Sequence, residues 1–182
     1  MKILKKFNNG LVVIAPDIYK DSRGYFTEIY NKAWFDKEIG EYNFCQDNQS
    51  YSSYGTVRGL HFQKGESAQA KLVSCMQGVV CDTVVDIRKD SDTFGKVYQF
   101  ILSEENKHQL LVPRGFAHGF SVLSKNALFT YKCDNKYDKS SEGGINLMDK
   151  ELNINWHVYP FEMIVSEKDK QWPTFNNFCK SI

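Results

Sequence analysis

Proline is scarce in this chain, four residues in 182, and no apolar run approaches the roughly 20 residues that a membrane-spanning helix needs. Neither sign of charge is in excess. The 23 basic and 22 acidic residues leave a formal net charge of +1, which argues against nucleic acid or an anionic membrane as the main partner. Any attraction to phosphate must then come from a local patch. The five cysteines (Cys45, Cys75, Cys81, Cys133 and Cys179) are odd in number and form no C-x-x-C pair. Neither a disulfide framework nor a zinc ribbon is indicated. Three of them fall in strand-like segments, where a free thiol acts as a small core residue. Only four histidines occur, at 61, 108, 118 and 157, with no H-x-H spacing, so a catalytic metal is not expected. Phosphate-binding glycine motifs, internal repeats, low-complexity tracts and linkers are all missing. The start, MKILKKFNNG, is basic but lacks a following apolar segment with a small-residue cleavage site, so the expected protein is soluble and cytoplasmic.

Aromatic residues are plentiful, with 13 Phe, 10 Tyr and 3 Trp. The length suits one domain with a sizeable core. Strand-like segments follow one another at roughly 8 to 12 residue spacing, separated by turn signals. They cover 11–16, 25–30, 45–50, 56–63, 71–76, 79–88, 97–102, 108–112, 116–123 and 127–133. The clearest alternator is V-V-C-D-T-V-V-D-I-R at 79–88. Asn31 is placed to cap a short helix over about 32–39 that ends at Gly40, and the tail from Ser166 carries another short helix. The pattern predicts an all-β sandwich or barrel, with no βαβ alternation to support a parallel nucleotide-binding sheet.

The stretch T-V-R-G-L-H-F-Q at 56–63 is where chemistry is most expected. Strict alternation puts Arg58, Leu60 and Phe62 on one face and His61 with Gln63 on the other. A histidine fixed on a sheet is suited to moving protons near neutral pH. It also fits a core position bonded to a backbone carbonyl. Lys71, on a face with Val73 and Cys75, either meets an anion inside or snorkels outward from the strand end. Tyr131 is either a proton donor or a core phenol with a satisfied hydroxyl. Asp82 and Asp86 share a face of the alternator, and such carboxylates are usually solvated or paired with a base such as Arg88. Asp169, three residues after Ser166, either caps the tail helix or holds a histidine in one tautomer.

The ordered set D-S-R-G-Y-F-T-E (21–28), Q-D-N-Q-S (46–50), V-R-G-L-H-F-Q (57–63), A-K-L-V (70–73), D-I-R (86–88), F-G-K (94–96), P-R-G-F-A-H-G-F (113–120), Y-K-C (131–133) and S-E-K-D (166–169) resembles the dTDP-4-dehydrorhamnose 3,5-epimerase family over nearly the whole chain. The resemblance implies a cupin-type jelly roll, all-β with a few short helices, usually a homodimer with exchanged N-terminal strands. It implies a nucleotide-diphosphate-linked 4-keto sugar as substrate, inversion at the carbons flanking the ketone, and no metal or organic cofactor. His61 would be the base, Asp169 its orienting partner, Lys71 the oxyanion partner and Tyr131 the opposing proton donor. Arg23, Phe26 and Glu28, from the neighbouring subunit, would meet the nucleotide. Gln46, Asn48 and Arg58 would contact diphosphate and sugar, Tyr137 would stack on the base, and His118 would line the sugar pocket. Arg114, Lys136 and the 144–156 segment depart from the family pattern. Other readings are a GDP-linked 4-keto-6-deoxyheptose epimerase, a single-carbon epimerase, a nucleotide-sugar ketoisomerase and a non-catalytic sugar-binding cupin.

Overall fold

The computed structural model describes residues 1–181. Its strands are β1 (Lys2–Lys6), β2 (Val12–Ala15), β3 (Ile18–Asp21), β4 (Gly24–Thr27), β5 (Gln46–Ser53), β6 (Val57–Gln63), β7 (Lys71–Gln77), β8 (Val79–Asp86), β9 (Val97–Ser103), β10 (Gln109–Val112), β11 (Phe116–Val122), β12 (Asn126–Cys133) and β13 (Glu142–Gly144). Three short helices, α1 (Lys32–Glu38), α2 (Glu167–Lys170) and α3 (Phe175–Cys179), complete the regular structure with three 3-10 turns.

The strands form a six-stranded sheet in the order β1-β2-β10-β7-β12-β5 and a five-stranded sheet in the order β13-β6-β11-β8-β9; β3 and β4 make a separate hairpin. Every strand pair is antiparallel. The two sheets face each other as an all-β jelly-roll sandwich, as the strand spacing predicts.

Alternation decides which side chains fill which layer. Val73, Val80, Val84, Leu110, Phe116, Phe120 and Phe129 point between the sheets and form the central core. Their neighbours Val85 and Ala117 point the other way, into a second core with Leu60, Phe62, Ile145, Trp156 and Phe178. The C-terminal segments thus cover the back of the five-stranded sheet. A third cluster, Val12, Ile14, Leu72 and Leu111, lies under Phe35 of α1 on the outside of the six-stranded sheet. Burial of each such Leu, Ile or Phe is worth roughly 1.5–3 kcal/mol, which is why all three layers persist without disulfides. Helix α1 starts where expected: the Asn31 side chain accepts the Trp34 N–H at 3.0 Å.

Three strands escape the sequence pattern. β1 reads K-I-L-K-K, β3 belongs to an exposed hairpin, and β13 is E-G-G, with one side chain and so no period. The tail also holds two short helices where one was expected. A larger correction concerns β8. Of the two readings for its carboxylates, pairing with Arg88 holds for Asp86 and solvation holds for neither: Asp82 and Asp86 are both fully buried. β8 is an interior strand, with β9 on one side and β11 on the other, and every position after Val79 is buried.

Asp86 is stabilised there by four side-chain donors and the Arg88 backbone N–H. Arg88 bonds both carboxylate oxygens, at 2.9 and 2.5 Å, while Ser91 and Thr93 donate at 2.7 and 2.6 Å. Burial alone pushes its pKa up, but the bonds from Arg88, Thr93 and Ser91 outweigh it and bring the value to about 2. The folded value lies below the unfolded one. The stabilisation is therefore complete above the ordinary carboxylate range and is lost as pH falls towards 2. Asp86→Asn should lower unfolding free energy by about 2 kcal/mol at pH 7 and flatten the acid limb between about pH 4 and 2. Urea unfolding of both proteins across that range measures it.

Candidate active site

One end of the sandwich opens into a cavity of about 680 Å³ lined from β5, β6, β7, β11, β12, α2 and the segment before it. His61, Lys71, Tyr131, Arg58, His118 and Asp169 all line it. A smaller lobe of about 170 Å³ shares His61, Lys71 and Tyr131 and adds Gln46, Asn48, Tyr137 and Glu142.

Strand register explains this convergence. On β12, Tyr131 lies opposite Asn48 of β5 and Val73 of β7, and Cys133 lies opposite Gln46 and Lys71. Opposed residues share a face, so Lys71, Tyr131, Gln46 and Asn48 all point inward. On the other sheet His61 pairs with His118, but Arg58 pairs with Phe120. Three steps on β6 thus match two on β11, which is a bulge. Strict alternation therefore fails here. Arg58 does not share the face of Leu60 and Phe62, which enter the rear core; it joins His61 in the cavity. Gly59 makes the bulge feasible. Its φ is +132°, and a Cβ there would come within 2.6 Å of the Gly119 Cα.

His61 Nε2 lies 2.6 Å from Asp169 Oδ1, and the Gly59 N–H donates to Oδ2 at 3.4 Å. Asp169 is only 4% exposed. Burial raises its pKa, but the hydrogen bond and charge of His61, then Gly59 and Ser166, carry it below the ordinary value. The carboxylate is thus ionised, and the imidazole must donate through Nε2. That fixes the tautomer and leaves the Nδ1 lone pair available to accept a proton. The two roles foreseen for Asp169 do not compete: its backbone N–H bonds the Ser166 hydroxyl at 3.1 Å, and its carboxylate serves His61.

Lys71 does not snorkel. Its ammonium faces the cavity, 5.7 Å from the Tyr131 ring centroid, and it makes no ion pair with a carboxylate among the described residues. Burial drives its pKa down, against the opposing pull of Cys133, Asp82 and Glu142. A desolvated cation of this kind gains most from an anion arriving in the cavity. Burial pushes the Tyr131 phenol up, reinforced by Cys133 and opposed by Arg58, so it holds its proton at neutral pH.

His118 makes a second, deeper pair, with Nε2 2.8 Å from Asp82 Oδ2, and stacks on Phe129. Arg58 donates from Nε to Ser52 Oγ at 3.2 Å. Gln46 donates to Asn48 at 3.0 Å and accepts the Tyr137 N–H at 3.2 Å, which ties the small lobe together.

Arg23, Phe26 and Glu28 are not brought to the cavity within one chain. Arg23 pairs with Asp21, Phe26 lies beside Tyr19, and Glu28 accepts from Asn31, all on or next to the exposed hairpin. Sequence reasoning missed Glu142, Lys168 and Trp172. Glu142 accepts from Tyr137 Oη at 2.9 Å and from Lys168 Nζ at 2.6 Å, and Trp172 stands edge-on to His61. Lys168 adjoins Asp169 in S-E-K-D and had a local signal; Glu142 sits in a polar, glycine-rich stretch and had none. Among the described residues no three His, Cys, Asp or Glu side chains group as a metal site.

A family model described as dTDP-4-dehydrorhamnose 3,5-epimerase matches residues 7–177. The chain belongs to that family. The epimerase from Salmonella typhimurium is 46% identical over 176 residues, 95% of this chain and 94% of that protein. The crystal structure of the Elizabethkingia anophelis dTDP-4-dehydrorhamnose 3,5-epimerase superposes with a TM-score of 0.92 at 52% identity, covering 97% of each chain. A Legionella pneumophila dTDP-6-deoxy-D-glucose-3,5-epimerase, solved with dTDP-4-keto-L-rhamnose, gives 0.91 at 42% identity over 96% of this chain and 93% of that one. The jelly roll of this epimerase-family chain is accordingly of the cupin type.

Because the bulge at Gly59 sets both Arg58 and His61, Gly59→Ala should cost about 2–4 kcal/mol through positive-φ strain and the clash with Gly119. The check is the thermal midpoint, expected to fall by roughly 4–16 °C for a chain of this size.

Proposed function

We propose that this chain inverts C3 and C5 of a dTDP-linked 4-keto-6-deoxy sugar, by proton removal and return, in the synthesis of a surface-polysaccharide sugar. The observation that carries the reading is one cavity lined by an oriented base, a desolvated cation and a protonated phenol.

The chemistry follows from those groups. A proton on a carbon next to a ketone becomes acidic only if the enolate oxygen is stabilised. His61 Nδ1 accepts that proton, and Asp169 stabilises the imidazolium that forms. The Lys71 ammonium meets the developing negative charge on the C4 oxygen, an interaction stronger in the transition state than in the bound ketone. Tyr131 gives its proton to the other face of the enolate, which re-forms the ketone with the carbon inverted. The imidazolium then loses its proton and the phenolate regains one through solvent. Rotation or repositioning of the ring presents the second flanking carbon to the same groups. None of these steps calls for a cofactor.

Arg58, Gln46 and Asn48 suit the diphosphate and sugar, since the guanidinium fork can bond two phosphate oxygens at once. Tyr137 offers a half-exposed ring for the base beside them, and His118 lines the sugar end. Arg23, Phe26 and Glu28 complete the nucleotide site from a second copy. The exposed Ile18, Tyr19, Tyr25 and Phe26 on and around the β3–β4 hairpin supply the apolar surface for a homodimer with exchanged N-terminal strands.

Incubation with dTDP- and GDP-linked 4-keto-6-deoxy sugars in deuterium oxide tests the reading. Label at both flanking carbons with inverted stereochemistry, on the dTDP sugar, is the expected result. Label at one carbon would make this a single-site epimerase; label only on the GDP sugar would move the specificity; no label at all would sink the enzyme reading in favour of a binder. His61→Ala should reduce exchange by roughly 10²–10⁴-fold, and Tyr131→Phe should keep exchange while losing inversion.

A further inference from the structure

Trp172 has no part in the chemistry above, yet it touches the base. The indole and imidazole centroids are 6.3 Å apart with planes at 69°, an edge-on contact. The indole also covers Gly144: a Cβ there would come within 2.4 Å of the ring atoms, and all three nearest atoms belong to Trp172. Gly144 is the strand partner of His61, so the glycine leaves open the space beside the imidazole that the indole fills. The Pro173 carbonyl accepts the Asn146 N–H at 2.8 Å, which anchors the indole's backbone to the same segment. Lys168 Nζ stands 5.7 Å from the ring centroid. The indole Nε1 is buried with no hydrogen-bond partner. A donor left unpaired is a cost, so what holds the indole here is its shape and not its N–H.

We propose that Trp172 is a positioning residue for the base: seated over Gly144 beside His61, it holds the imidazole in line with Asp169. The inference rests on His61 being the base. An imidazole with one hydrogen bond can still swing about its side-chain torsions. The carboxylate fixes one nitrogen, and the indole blocks the swing that would carry Nδ1 away from the substrate carbon. A misplacement of about 1 Å at such a group costs on the order of 100-fold.

The test is kinetic and spectroscopic, on the intact protein with its dTDP-linked 4-keto sugar. Trp172→Ala should lower kcat about 10- to 100-fold while KM changes less than about threefold. Trp172→Leu serves the same purpose if the alanine variant does not fold. Trp172→Phe, which keeps a flat ring on Gly144 and removes the unpaired donor, should restore kcat to within about threefold of the parent. Gly144→Ala displaces the indole and should lower kcat similarly, with no further loss when added to Trp172→Ala. Contact with a protonated imidazole quenches indole emission. The emission lost in Trp172→Phe should therefore titrate with His61, and the titration should vanish in His61→Asn. Unchanged kcat in Trp172→Ala, additive losses in the double variant, or indole emission indifferent to His61 would each overturn the proposal. Full turnover by His61→Asn would instead remove the base assignment, and the emission titration would still report whether the two rings are coupled.

Discussion

The hydrogen bond between His61 and Asp169 is the constraint on which the site depends. It joins residues 108 positions apart and places the tail of the chain against β6 of the five-stranded sheet. Because Asp169 is buried and ionised, the bond does three things at once. It selects the imidazole tautomer, gives the carboxylate a partner that offsets its desolvation, and holds α2 over the cavity wall. Ser166 supports it by capping α2 through the Asp169 backbone N–H.

The rest of the site is built by the opposite device, rigid sheet. Lys71 and Tyr131 belong to adjacent strands of the six-stranded sheet, and their inward direction is dictated by the same alternation that sends Val73 and Phe129 into the core. Their pKa shifts have a common source in burial, which acts oppositely on a cation and on an acid. Lysine becomes readier to meet an anion, and tyrosine keeps its proton at neutral pH. The apolar core thus tunes the site as well as stabilising the fold.

Much of this was legible beforehand. The strand succession, the α1 cap, the buried thiols and the four central side chains all follow from residue type and spacing, together with the family resemblance. The misses have physical causes. Arg58 was set on the wrong face because one extra residue at Gly59 inverts the alternation, and a glycine gives no pattern from which to see it. The pairing of Asp86 with Arg88 was foreseen, but the full burial of Asp82 and Asp86 was not, because a single strand does not disclose that both its faces are covered. Trp172 and Glu142 lie in segments with no period at all.

By itself the sequence determined the layer class, since alternation and turn residues act over a few neighbours, and it named the side chains that line the cavity. Only the tertiary structure decided which of them meet. Register across β6, β11, β7 and β12, one bulge, and the return of the tail to the sheet bring residues 58, 61, 71, 131 and 169 to one cavity. Those are long-range relations, set by packing between segments far apart in the chain, and no local property of any one segment contains them.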